Sequence, residues 1–169
     1  EIENRVAEIG KAISKEYAGQ EILLLGVLRG VFCFMADLMR HITLPMSVDF
    51  MSVSYYSGAG VQDGVRITKG PDVVLEGKHV VLVEDIVDTG MTLNYLLRYL
   101  RERNPASLKV CALLDKRARR FAEVQLDYVG FEAPDEFMVG YGLDYLERYR
   151  NLPFIGILRP KELPQPSEG

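Results

Sequence analysis

Val80-Val81-Leu82-Val83-Glu84-Asp85-Ile86-Val87-Asp88-Thr89-Gly90-Met91-Thr92 decides the fold of this 169-residue chain. It opens with four apolar β-formers, turns acidic, and passes through Thr89-Gly90 into Met91-Thr92-Leu93, where a helical pattern begins. A buried strand that turns into a helix presents backbone N–H groups to an anion. Thr89 and Thr92 add hydroxyl donors, and Gly90 permits close backbone approach. Glu84, Asp85 and Asp88 would repel a bare phosphate, so they serve another part of the same ligand. Ribose hydroxyls, a Mg²⁺ ion or a proton on a base suit them. The residues alone also allow a strand end with an Asp helix cap and two solvated acids.

The same pattern recurs earlier. Ile22–Val27 is a continuous apolar run, Leu28-Arg29-Gly30 a turn, and Val31–Arg40 a helix. Further strands are expected at Ser47–Val53, Val80–Val83, Ser107–Leu114, Asp127–Phe131 and Phe154–Leu158. Helical stripes lie at Ile2, Val6, Ile9 and Ile13, with Gly19 as terminator, and at Leu93, Leu96, Leu97 and Leu100. Strand–helix alternation predicts an α/β fold: a mainly parallel twisted sheet with helices on both faces. Ligands then bind beyond the carboxyl ends of the strands, where Leu28–Gly30, Glu84–Thr92 and Lys116 fall. Residues 54–71 read as a mobile hairpin, and Lys161–Gly169 as a fraying tail. Tyr145–Arg150 reads as a short helix capped by Asp144 and ended by Asn151-Leu152-Pro153. Arg117, Arg119 and Arg120 read as a solvated basic face, and Phe137 as core.

A net charge of −4 argues against broad binding to nucleic acid. Cys33 and Cys111 sit in apolar runs as buried free thiols, and two histidines offer no zinc spacing. No apolar stretch approaches a membrane span and no signal peptide is visible, so the expected location is cytoplasmic.

The run Val83-Glu84-Asp85-Ile86-Val87-Asp88-Thr89-Gly90-Met91-Thr92 resembles the signature of the type I phosphoribosyltransferases, in the form of their hypoxanthine-guanine branch. Leu28-Arg29-Gly30, Lys116-Arg117 and the stretch Phe137–Asp144 carry the same resemblance, which covers nearly the whole chain. It implies transfer of the 5-phosphoribosyl group from 5-phosphoribosyl-1-pyrophosphate (PRPP) to N9 of hypoxanthine or guanine, giving IMP or GMP and pyrophosphate. It implies that Asp88 to Thr92, Met91 included, hold the 5-phosphate, that Glu84 and Asp85 hold the ribose, and that Asp88 acts as general base. Leu28, Arg29, Gly30 and Arg150 would meet pyrophosphate, with Leu28–Arg29 often cis. Lys116, Phe137, Met138 and Asp144 would meet the purine, and Asp144, Glu84 and Asp85 would serve Mg²⁺. Tyr55 and Tyr56 would lie on a lid over PRPP, Tyr55 standing where many members carry serine. The resemblance further implies one domain over residues 1–169, a core at about 20–140 and a lid at about 54–71, with a hood from both chain ends. It also implies a homodimer or homotetramer. Alternatives are a transferase for xanthine or uracil, and the RNA-binding attenuation regulators of the same fold. Glu84 and Asp88 fit the purine enzymes better.

Overall fold

The computed structural model describes residues 1–58 and 61–159, and for 56–58 and 61–63 the backbone only. The tip of the expected lid at 59–60, the Tyr56 side chain and the tail at 161–169 lie outside the described residues.

The chain runs α1 (Ile2–Glu16), β1 (Ile22–Leu28), α2 (Phe32–Arg40), β2 (Met46–Gly58), β3 (Val61–Lys69), β4 (His79–Val87), α3 (Met91–Arg101), β5 (Ser107–Asp115) and β6 (Tyr128–Glu132), with a short pair, β7 (Met138–Val139) and β8 (Gly156–Ile157). The main sheet has the order β3-β2-β1-β4-β5-β6. All its pairings are parallel except β2 with β3. The mainly parallel sheet expected from the alternating pattern is therefore present, and it places the motif strand β4 at the centre.

Side-chain alternation splits the core in two. Leu24, Val81, Val83, Cys111 and Leu113 face one side, where Val6, Ile9 and Ile13 of α1 and Phe34, Met35 and Leu38 of α2 cover them. Leu23, Leu25, Val80, Leu82, Val110 and Ala112 face the other, under Leu93, Leu96, Leu97 and Leu100 of α3. Strands buried on both faces explain the uninterrupted apolar runs. Each leucine removed from water on this scale contributes about 1.5–3 kcal/mol. Arg5 fixes α1 to the far edge of the sheet, donating to the carbonyls of Gly130 at 2.8 Å and Val129 at 2.7 Å.

The hairpin expected over 54–71 is present, and it belongs to the main sheet. β2 continues to Gly58 and pairs antiparallel with β3, so the expected lid segment is an edge hairpin of the main sheet. Other local expectations are corrected. Tyr145–Arg150 is not helical: Leu146, Glu147 and Tyr149 have φ of 49°, 61° and 75°. The Asp144 carboxylate accepts from the Glu147 N–H at 2.9 Å, and the Tyr145 and Arg148 backbones pair, so the chain doubles back. Local side-chain bonding of this kind competes directly with a helix. The last strand shrinks to Gly156–Ile157. Both cysteines are free, but only Cys111 is fully buried. α1 lies on the sheet, and its first residues, Glu1 to Glu3, border a groove with Met138, Pro153 and Phe154.

Leu96 lies wholly inside the α3 face of the core. Leu96→Ala should lower unfolding stability by about 2–5 kcal/mol through lost burial and a residual cavity. Urea denaturation should show a lower midpoint with an unchanged slope; an unchanged midpoint would contradict this packing.

Candidate functional site

β4 ends at Val87, and the chain enters α3 through Asp88, Thr89 and Gly90. Gly90 has φ +81°, and a Cβ there would lie 2.7 Å from the Ala122 carbonyl oxygen. That turn therefore requires glycine. The N–H groups of Phe121 and Ala122 both donate to the Thr89 carbonyl at 2.9 Å, holding the turn from behind. Gly90 and Thr92, at the start of α3, line an open crevice, and a helix N-terminus there suits an anion.

The crevice spans about 550 Å³ and takes its walls from the carboxyl ends of β1, β4 and β5. It brings together Leu28, Arg29, Gly30, Tyr55, Glu84, Asp85, Asp88, Thr89, Gly90 and Thr92 with Lys116, Phe137, Met138, Asp144 and Arg150. Two expected site residues are not placed in its wall. The Met91 side chain is exposed, so only the turn position of that residue bears on the site. The Tyr56 side chain is outside the described residues. Lining residues that the sequence reading missed include Ile86, Leu143 and Glu147. Glu147 was legible only as one acid in a presumed helix.

The acids sit against a tight backbone junction. The Leu28–Arg29 peptide is cis. A Cβ on Gly30 would lie 1.6 Å from Asp85 Oδ2, and one on Gly142 would lie 2.1 Å from the Gly30 carbonyl oxygen. Gly30 is thus clasped between the motif acid and the C-terminal segment. Asp85 Oδ1 accepts the Ile86 N–H at 2.7 Å. Burial raises the Asp85 carboxyl to about 6, against hydrogen bonds from the backbone and the pull of Arg150. Glu84 is buried, and burial followed by repulsion from Asp85 pushes its carboxyl well above the usual range. In the free protein Glu84 is therefore driven towards the neutral form, not the anion that the sequence suggested.

Arg150 holds the opposite wall. It donates to the Gly142 carbonyl at 2.8 Å and pairs with Asp144 at 3.0 Å and Glu147 at 3.3 Å. Arg29 reaches Glu147 at 3.3 Å. Phe137 is half exposed in the wall and meets Tyr145 edge-on at 5.5 Å, so it is not the core residue its type suggested. Lys116 is buried at the end of β5, where its N–H donates to the Val87 carbonyl at 2.9 Å. Among the described residues it makes no ion pair. The neighbouring arginines are not a simple solvated face: Arg119 Nε lies 3.2 Å from Asp88 Oδ1, and Arg120 pairs with Asp115. Asp88 Oδ1 is itself buried against Arg119 and makes no hydrogen bond among the described residues despite that ion pair.

Among the described residues, no three acidic, histidine or cysteine side chains are grouped to cage a metal. Asp85 and Asp144 nevertheless both line the crevice. That arrangement fits Mg²⁺ shared between one or two carboxylates and a ligand's own phosphate oxygens, the usual habit of this ion.

A profile described as the phosphoribosyl transferase domain matches residues 1–146. The chain is 48% identical over 161 residues to the hypoxanthine-guanine phosphoribosyltransferase of Bacillus subtilis, covering 95% of this chain and 89% of that one. It is 50% identical over 160 residues to the hypoxanthine phosphoribosyltransferase of Haemophilus influenzae, covering 92% and 89%. A crystal structure of a hypoxanthine phosphoribosyltransferase from Staphylococcus aureus superposes with a TM-score of 0.91 at 43% identity, covering 97% of this chain and 90% of that one.

Two outcomes follow from this geometry. Gly142→Ala would drive a Cβ into the Gly30 carbonyl at a backbone conformation with φ +100°. It should destabilise the fold by roughly 1–3 kcal/mol, the range for enforced overpacking and strain; an unchanged thermal midpoint would contradict the clasp. Because the Asp85 carboxyl rises from 3.8 to about 6 and Glu84 is raised too, the folded state binds more protons than the unfolded one. Stability then declines as pH rises through that window. Glu84→Gln should melt at a higher temperature than the wild type at pH 8, with the gap closing towards pH 4. A lower midpoint for the variant at pH 8 would show that the buried acid is not strained.

Proposed function

The chain belongs to the phosphoribosyltransferase family, and from that premise we propose that it transfers the 5-phosphoribosyl group of PRPP to N9 of hypoxanthine or guanine, yielding IMP or GMP and pyrophosphate. The observation that carries the reading is the convergence of the Asp88–Thr92 turn, the Leu28–Gly30 turn and Lys116 on one crevice.

The 5-phosphate rests on the amides between Asp88 and Thr92 and on the two threonine hydroxyls. Glu84 and Asp85 face the ribose diol. A carboxyl kept neutral by burial can donate to a ribose oxygen, and one that ionises on binding favours positive charge on the sugar. The pyrophosphate lies towards Leu28, Arg29 and Gly30, with Arg150 on the opposite wall. Mg²⁺, held by Asp144 and Asp85 together with ligand oxygens, would neutralise the departing pyrophosphate.

The base enters between Phe137 and the β4 end, its edge facing the Met138 backbone and Asp144. As N9 bonds to C1 of the ribose, the bond from C1 to the pyrophosphate oxygen breaks. Asp88 takes the proton released from the imidazole ring. Lys116 donates to the 6-oxo group. A 6-amino group would set donor against donor, so adenine is disfavoured. The edge hairpin of β2 and β3 acts as the lid that keeps water from the sugar. The protein works in the cytoplasm as a homodimer or homotetramer. Among the described residues no helix is long and apolar enough to cross a membrane.

Pyrophosphate release from PRPP, measured with hypoxanthine, guanine, xanthine, adenine and uracil, tests the assignment. Turnover with hypoxanthine or guanine and little with adenine or uracil is expected; release only with uracil or xanthine would replace the substrate. Asp88→Asn should lower kcat by about 10²-fold or more with little change in PRPP affinity, and an undiminished kcat would remove Asp88 as the base. Lys116→Met should weaken 6-oxopurine use by roughly 1–3 kcal/mol, the cost of leaving a buried polar group unpaired. Unchanged rejection of adenine would assign that selectivity to another group.

A further inference from the structure

The Asp88 carboxylate is held asymmetrically. Its Oδ1 is shut off from solvent and lies 3.2 Å from Arg119 Nε. The side chain is still 39% exposed, so Oδ2 is the oxygen open to the crevice. Arg119 belongs to the short 3₁₀ turn Arg117–Arg119 that follows β5. The backbone stitches this turn to the motif from both sides. The Lys116 N–H donates to the Val87 carbonyl at 2.9 Å, and the Phe121 and Ala122 N–H groups both donate to the Thr89 carbonyl at 2.9 Å. Asp88 stands between those two acceptors, so the register of the stitching brings Arg119 to it. The far end of the guanidinium, Nη1, lies 3.5 Å from Asp135 Oδ1, two residues before Phe137. A planar guanidinium with several donors suits two carboxylates at once. Both pairs are partly exposed, and pairs of that kind add little stability. Stability therefore does not account for a cation set against one oxygen of this acid.

We propose that Arg119 is a positioning residue for the Asp88 base: it occupies Oδ1 and leaves Oδ2 as the oxygen that takes the proton of the imidazole ring. The inference rests on the assignment of Asp88 as the base made above. The cation favours the ionised carboxylate and fixes its rotation, so the ring N–H bond breaks towards one defined oxygen and the new O–H bond forms there. Through Asp135 the same side chain ties that oxygen to the segment leading to Phe137, so the base and the wall against which the purine lies are set together. The other titratable groups around Asp88 are Glu84 and Asp85 on β4, Tyr55 on β2, Lys116 after β5 and Asp135 beyond Arg119. All of them are kept when Arg119 alone is replaced.

Single-turnover conversion of hypoxanthine with saturating PRPP and Mg²⁺, followed across the pH range, tests the proposal. It is run on wild type, Arg119→Gln and Arg119→Lys, each with Asp88 intact and with Asp88→Asn. Arg119→Gln should slow the chemical step about fivefold, the upper end for a partly exposed ion pair, with the steady-state KM for PRPP within about twofold. Its acidic limb should move up by about half a pH unit, because losing the cation favours the protonated carboxyl. Arg119→Lys keeps the charge and should return the limb to its wild-type position. With Asp88→Asn present, Arg119→Gln should neither slow the step further nor move the limb, since residues that act as a unit are not additive. An unchanged rate and limb in Arg119→Gln would overturn the proposal. Equal slowing in the Asp88→Asn background would place the action of Arg119 elsewhere, and a rise in KM alone would make it a substrate contact; either result overturns it. A lower urea midpoint with the limb unmoved would make the pair structural and overturn it too. If Asp88→Asn alone is as fast as wild type, the base assignment falls and this inference falls with it.

Discussion

Glu84 and Asp85 are adjacent carboxyls at the end of a central strand, the first buried and the second part-buried in the crevice wall. Everything around the crevice answers that constraint. Burial raises both carboxyls, and the Asp85 oxygen presses so closely on Gly30 that no side chain fits there. Gly30 in turn abuts Gly142, and Gly142 supplies the carbonyl that Arg150 holds. A strained pair of acids is thus the centre of a contact chain joining the motif strand, the cis turn after β1 and the C-terminal segment. Proteins commonly accept such costs at sites where the group is needed in a particular protonation state.

The charges are arranged so that most cations already have partners. Arg150 is shared between Asp144 and Glu147, Arg29 meets Glu147, and Arg119 lies against Asp88. Most of these pairs are partly exposed and add little stability. Their effect is geometric: they hold the walls of the crevice in place. Lys116 differs, since it is buried without an ion-pair partner among the described residues.

The sheet is what makes this arrangement repeatable. Parallel strands with both faces covered present all their carboxyl ends on one side, so β1, β4 and β5 each deliver a turn to the same crevice. The edge hairpin differs, because its two strands pair antiparallel. Its reach over the crevice through Tyr55 comes from strand continuation beyond the core.

The residue pattern by itself determined the sheet, its helices and the glycine turn from β4 into α3, because buried parallel strands write themselves as unbroken apolar runs and the helical stripe resumes directly after Gly90. Leu28–Gly30 and Lys116 were equally legible, as strand-end positions. The sequence could not show that Tyr145–Arg150 folds back instead of forming a helix, since a carboxylate-to-amide bond and an arginine-to-carbonyl bond outcompete a short helical turn. Nor could it show which arginines are free. The Arg119 and Arg120 pairings join positions distant in chain or on opposite sides of a turn, and composition carries no such information. Only the tertiary structure decided that burial and Asp85 push the Glu84 carboxyl upward, because a carboxyl's proton affinity depends on what surrounds it and not on its place in the chain.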